Sequence, residues 1–295
     1  MRKIGVIGLG DMGSGLAKNL IKAGFEVHGY DIDAKRLQAF EDMGGHATSS
    51  PASMGAKTDA VFVMVMTGKQ AKQVILGDGL ASTMKPGSVV LLTATIRANE
   101  ASDIASGLLE KDIELIDSPV SGGFRGAQSG TLTIMAAGNA ASLDKCKAIM
   151  QAVSATIHYV GDQAGMGQTV KACLQAIIGS VFTATFEASV LAAKAGISGE
   201  VLHKVVSTSG AGCGVANTAL ENIIDRQFEN TGSHIATMYK DLTIVMDLAR
   251  SLGVPLFTAS TAMQLFQAGI TRFPDGDNWS VTKISEDIVD ARLIR

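Results

Sequence analysis

The first thirty residues constrain the fold most. Lys3-Ile4-Gly5-Val6-Ile7 is a short apolar run, and Gly8-Leu9-Gly10-Asp11-Met12-Gly13 follows it directly. A helical pattern then runs through Leu16, Ala17, Leu20 and Ile21 and stops at Gly24. A second strand pattern covers Glu26–Tyr30, with Asp31 at its end. Glycines in that turn let the backbone approach a pyrophosphate, whose charge then faces the helix N-terminus. An acid after the second strand accepts hydrogen bonds from ribose hydroxyls and repels a 2′-phosphate. Strand, glycine turn, helix, strand and acid in this order predict a dinucleotide site. Its expected residues are Gly8, Leu9, Gly10, Asp11, Met12, Gly13, Tyr30 and Asp31, and Asp31 predicts NAD rather than NADP. Arg36 reads as a solvated helix arginine.

The alternation continues along the chain. Ala60–Met66, Ser88–Leu92, Ile113–Ile116, Leu132–Ala136 and Thr156–Val160 read as strands. Helical patterns begin at Ala71–Ile75 and cover Asn99–Leu109 and Ala140–Val153. This predicts a doubly wound parallel sheet of the Rossmann kind, α/β in class, over residues 1–162. Ligands in such sheets bind at the carboxyl ends of strands, where Met66, Thr95 and Asp117–Gly123 fall. From Gly165 onward the strand pattern stops. Residues 166–194 read as one long helix closed by Lys194-Ala195-Gly196, with further helices at 199–207, 215–224, 234–252, 255–268 and 281–290. An all-helical second domain over 163–295 is expected, beginning with a long interdomain helix.

Composition excludes several classes of function. The chain is 46% hydrophobic and 18% charged, which supports a substantial core and argues against disorder. A net charge of −3 and the lack of any dense Lys/Arg run argue against nucleic-acid binding. Cys146, Cys173 and Cys213 form no CxxC pair, so reduced thiols in a cytoplasmic protein are expected. The histidines have no metal-ligand spacing, and no metal is expected. The stretch 172–193 is apolar, but Gln175 and Glu187 interrupt it, which predicts a helix buried in protein rather than in a membrane.

Within that helix, Lys171 stands among Val170, Ala172, Cys173 and Leu174, after Gly165 and Gly167. A charged amine in such surroundings is costly unless it has a partner or a role. Gln175 lies four residues on, so the two side chains share a helix face. At a domain boundary Lys171 is expected to face the cleft, and partial burial there predicts a lowered lysine pKa. Asp117-Ser118-Pro119-Val120-Ser121-Gly122-Gly123 offers a hydroxyl and unobstructed N–H groups, a suitable nest for a carboxylate. A plain turn after a strand accounts for the same residues equally well. His203, Cys213, His234 and Trp279 are candidates for a pocket lining, although structural roles are favoured for each.

Four segments in order carry a resemblance. Gly8–Gly13, Asp117–Gly123, Gly165–Lys171 and Lys240-Asp241-Leu242 resemble the GLGxMG, DxPVSGG, GxGxxxK and Lys-Asp-Leu motifs of the β-hydroxyacid dehydrogenase family. The resemblance covers essentially the whole chain. It implies that Lys171 is the general acid/base and that Ser121, Gly122, Gly123, Lys171 and Gln175 hold a small hydroxy acid by its carboxylate and hydroxyl. It also implies that Thr95 lies by the nicotinamide, that Lys240 reaches the cofactor, and that the protein is a homodimer or homotetramer, while Met66 is expected at the cofactor from its place at a strand end. The chain departs from the family at Gln175, where Asn is usual, at Ala94, where Ser is usual, and at Leu92. A branch resembling L-threonate dehydrogenase carries Gln at this place, and Gly179–Gly196 and Asn278–Ile284 look closest to it. The expected function is NAD-dependent hydride transfer to or from a small β-hydroxy acid. The rivals are a semialdehyde reductase of the tartronate type, an imine reductase of the same fold and a non-catalytic dinucleotide-binding protein.

Overall fold

Ile4, Val6 and Ile7 are fully or almost fully buried because β1 (Lys3–Ile7) lies inside a sheet with an apolar core against each face. The computed structural model describes residues 1–295, in two compact units, Met1–Lys171 and Ala172–Arg295. In the first unit β1 pairs in parallel with β2 (Glu26–Tyr30) on one side and with β4 (Ala60–Val63) on the other. β3 (His46–Ala47) extends the β2 edge, and β5 (Val89–Leu92) and β6 (Glu114–Asp117) extend the β4 edge, all parallel. The strand order therefore reverses between β1 and β4, the switch point at which doubly wound sheets bind ligands. Buried strands of this kind need apolar residues on both faces, and Ala60–Val63 and Val89–Leu92 supply them.

Beyond β6 the sheet stops being purely parallel. β7 (Val120–Ser121) and β6 both run antiparallel to β8 (Leu132–Ala137), and β9 (Ser154–Gly161) runs parallel to β8. Val120–Ser121 reads from sequence as part of a turn, yet it is a strand, followed by the helix Gly123–Ser129. A two-residue strand is too short to show a period, which is why the pattern missed it. The strand expected over Ala60–Met66 ends at Val63. Met66 and Thr67 instead donate their N–H groups to Gln70 Oε1, in the capping box that opens the helix Gly68–Lys72.

The second unit is helical, with helices Gly199–Thr208, Gly214–Ile224, Ile235–Leu252, Phe257–Arg272 and Thr282–Val289. The helix Met166–Lys194 leads into it. The two compact units divide within this helix, and its first turn is hydrogen-bonded to the end of β6. By length and apolarity the helix could cross a bilayer. However, Phe182 and Phe186 are buried in the helical core, and Ser180, Thr183, Thr185 and Ser189 each turn a hydroxyl back to the carbonyl four residues earlier.

That core is centred on aromatic packing. Phe186 is fully buried, stacked on Phe182 at 5.8 Å and tilted against Phe266 at 6.3 Å. Trp279 meets Phe182 edge-on at 5.7 Å and donates Nε1–H to Thr231 Oγ1. Removing the ring of Phe186 leaves a cavity that these neighbours cannot refill. Phe186→Ala is expected to lose about 3–5 kcal/mol, read as an earlier urea midpoint of the helical unit by circular dichroism.

Candidate active site

The glycine turn is shaped by close approach. A Cβ on Gly13 would lie 1.7 Å from the Gly8 carbonyl oxygen, so the turn tolerates no side chain there. At Gly10 a Cβ would meet nothing nearer than the Arg36 guanidinium, at 3.6 Å, which leaves open space for a bulky anion. Gly10 is also the N-cap of the helix Asp11–Lys22, and no side chain caps that end. Helix N–H groups and their dipole thus face the open side of the turn. Asp31 directly follows β2, and its Oδ2 accepts from Leu9 N–H at 2.7 Å and its Oδ1 from Asp33 N–H at 2.9 Å. Each carboxylate oxygen keeps a lone pair for a ribose hydroxyl. Arg36 Nη1 lies 3.7 Å from Asp31 Oδ2 and its Nε 3.8 Å from Asp33 Oδ2, so this half-exposed arginine leans over the turn. The turn, the bare helix end and the acid fit a dinucleotide.

The end of β6 holds the start of the long helix. Asp117 Oδ2 accepts from Gly165 N–H at 2.8 Å and Gln168 N–H at 3.1 Å, while Oδ1 accepts from Gln168 Nε2 at 2.7 Å. Gln168 Nε2 also donates to Ala94 O, and its Oε1 accepts from Ile96 N–H, each at 3.0 Å. The loop carrying Thr95 is therefore braced from both sides by one amide. A Cβ on Gly167 would come within 2.7 Å of Met135 O and 2.8 Å of Asp117 O, so the helix can approach β8 and the end of β6 only with glycine there. Lys171 follows one turn later and is 6% exposed. Sequence reasoning assigned no role to Asp117 or Gln168. The signal available was a charge and an amide within glycine-bearing segments at strand and helix ends.

Ser121 closes β7 opposite Thr133, and Gly122 and Gly123 open the short helix after it, exposed to solvent. Met66 is half-exposed beyond β4. In the helical unit, Gln175 Nε2 donates to Asp241 Oδ2, and Lys240 Nζ lies 2.9 Å from Asp241 Oδ1 as an ion pair. Asp241 Oδ1 has no aligned hydrogen bond, so the Lys240 contact is Coulombic rather than directional. Trp279 belongs to the core, His234 Nδ1 lies 3.4 Å from Asp277 Oδ1, His203 Nε2 lies 3.7 Å from Glu221, and Cys213 is exposed. Of these four, Trp279 has a clearly structural place.

Residues 3–161 match the family described as the NAD binding domain of 6-phosphogluconate dehydrogenase. Residues 165–284 match that described as NAD-binding of NADP-dependent 3-hydroxyisobutyrate dehydrogenase. The chain is 33% identical over 288 residues to an L-threonate dehydrogenase of Escherichia coli, covering 97% of this chain and 95% of the relative. A crystal structure of 3-hydroxyisobutyrate dehydrogenase from Salmonella typhimurium has a TM-score of 0.89 at 32% identity, covering 96% of this chain and all of that one. The Mycobacterium tuberculosis 3-hydroxyisobutyrate dehydrogenase solved with L-serine has a TM-score of 0.87 at 26% identity, covering 97% and 99%. The chain belongs to the β-hydroxyacid dehydrogenase family. It is an oxidoreductase acting on CH–OH groups with a nicotinamide dinucleotide.

In this dehydrogenase, burial pushes the Asp117 carboxyl up to about 6, against the lowering effect of the donors from Gln168 and Gly165. The folded value lies above the ordinary 3.8. The folded state therefore keeps a proton that the unfolded chain has already lost between those values, and this contribution fades as pH rises through about 6. Asp117→Asn removes the titration. The stability difference between wild type and variant is expected to shrink by on the order of 3 kcal/mol from pH 4 to pH 7, measured by urea unfolding at each pH.

Proposed function

We propose that this protein is an NAD-dependent dehydrogenase of a small β-hydroxy acid, L-threonate-like or 3-hydroxyisobutyrate-like, with Lys171 as general acid/base. The observation that carries this reading is the buried lysine, one turn beyond a glycine-bearing helix start that Asp117 and Gln168 clamp to the strand ends. The nicotinamide, when bound, supplies the hydride acceptor at its C4. In oxidation, neutral Lys171 takes the proton of the substrate hydroxyl. In reduction, its ammonium returns a proton to the nascent alkoxide, which is the direction a semialdehyde reductase would run. Ser121 Oγ and the N–H groups of Gly122 and Gly123 hold the carboxylate, and Gln175 fixes the substrate from the same helix face as Lys171. Met66 and Thr95 flank the nicotinamide side of the cofactor, and Lys240 reaches toward it. An imine reductase of the same fold is disfavoured because such enzymes usually replace the lysine.

Cofactor choice follows from Asp31, whose carboxylate would meet a 2′-phosphate as a like charge. Arg36 is already paired with Asp31 and Asp33, which weakens it as a phosphate ligand. Half or more exposed apolar side chains on the long helix, Ile177 and Leu191, support a homo-oligomer. The free cysteines support a reducing, cytoplasmic setting.

Lys171→Ala is expected to lower kcat by about 10²–10⁴-fold with NADH affinity by fluorescence unchanged. Near-normal turnover in that variant would remove the lysine from the mechanism. NAD should be favoured over NADP in kcat/KM, and Asp31→Ser should narrow that ratio by more than about 10-fold, since like-charge juxtaposition costs several kcal/mol. An unchanged ratio would place cofactor choice elsewhere, with Arg36 the first candidate.

A further inference from the structure

Gln175 lies one turn beyond Lys171 on the long helix and is 7% exposed. Its Nε2 donates to Asp241 Oδ2 at 2.5 Å and points a second N–H at Met238 Sδ, 3.8 Å away. A primary amide has two donors and one carbonyl acceptor. Both donors are therefore in use. A carboxylate can only accept, so Asp241 dictates which end of the amide turns toward it. The carbonyl oxygen Oε1 is left buried without a hydrogen-bond partner in the protein. Buried acceptors are nearly always satisfied, and an exception calls for a ligand, a water or a functional reason.

We infer that Asp241 makes Gln175 a one-way acceptor, and that the substrate brings it a hydrogen-bond donor distinct from the reacting hydroxyl. This rests on Lys171 being the base of the proposed dehydrogenase. The reacting hydroxyl has one proton, and that proton goes to Lys171, so it cannot also satisfy Gln175. The substrate carboxylate carries no donor and cannot satisfy it either. In a three-carbon β-hydroxy acid, the carboxylate and the carbinol occupy two carbons. The donor must then stand on the carbon between them, as a hydroxyl or an ammonium. A methyl at that carbon leaves Oε1 unpaired. The site thus selects acids with a polar donor at the middle carbon over branched aliphatic ones. Asp241 acts here through Gln175 and is a positioning residue.

Glycerate, serine and 3-hydroxyisobutyrate form a matched set, with hydroxyl, ammonium and methyl at the same carbon. Wild-type protein, Asp241→Asn and Gln175→Met are compared on both enantiomers of each with NAD. In wild type, glycerate or serine should exceed 3-hydroxyisobutyrate in kcat/KM by about 10-fold or more, and whichever leads tells hydroxyl from ammonium. Asp241→Asn lets the amide turn over, and Gln175→Met removes the acceptor at similar volume. Each should cut that preference by about 10-fold, and calorimetric Kd values for the acids should lose it in parallel. A purely structural role for Asp241 would lower all three acids alike and leave the ratio intact. An intact ratio in both folded variants, or a wild-type preference for the methyl acid, overturns the inference alone. No turnover by wild type of any of the three or of L-threonate overturns the proposed function and this inference with it.

Discussion

Three hydrogen bonds converge on the carboxylate of Asp117, from Gly165 N–H, Gln168 N–H and Gln168 Nε2. A helix N-terminus has unsatisfied N–H groups and a partial positive charge, and here a strand-end acid supplies both the acceptor and the countercharge. The same glutamine ties the first helical turn to the backbone on either side of Thr95. Sheet end, Thr95 loop and the start of the lysine helix are thereby one bonded unit. Burial opposes this arrangement by favouring the protonated acid, and the converging donors oppose burial. The position of Lys171 is inherited from that balance, since the lysine follows Gln168 by less than one turn and has no freedom to drift along a helix whose start is pinned.

Much of this architecture was readable from residues. β1, β2 and the helix Ala140–Val153 have the expected bounds because each has a clear period and a glycine, acid or cap at its end. The glycine turn and Asp31 were readable for the same reason, as a motif needs only local chemistry. The elements that were missed are short or non-local. β7 exists only because β8 pairs with it, and nothing in Val120–Ser121 itself demands a strand. Met64–Met66 reads as strand by apolarity, but the Gln70 cap draws the chain out of the sheet. Tertiary partners decided these cases, and a pattern along the chain cannot see them.

Asp117 and Gln168 show the same limit at the candidate site. Gly165 and Gly167 were visible as glycines before a lysine, while their reason was not. The reason at Gly167 is the carbonyl of Met135 and the carbonyl of Asp117, which sit where a Cβ would project. A spacing motif is in this sense a record of contacts made elsewhere in the sequence. Asp117 is separated from Gln168 by about fifty residues, so the motif containing one and the motif containing the other look independent until the fold joins them.

The identity of a candidate binding residue is likewise less informative than what holds it. Reading Gln175 as an amide one methylene longer than Asn explains reach but says nothing of direction, because an amide is donor at one end and acceptor at the other. Direction comes from Asp241 and Met238, which lie more than sixty residues away and take up the donor end. A carboxylate placed there is a stronger constraint than a hydroxyl would be, since it cannot reverse its role. Substituting Asn for Gln at this helix position while keeping Asp241 would shorten the link between the helix and that carboxylate. The amide would then have to choose between Asp241 and the ligand. Gln at position 175 and Asp at position 241 are thus one hydrogen-bonded pair, and variation at either is expected to be felt through the other.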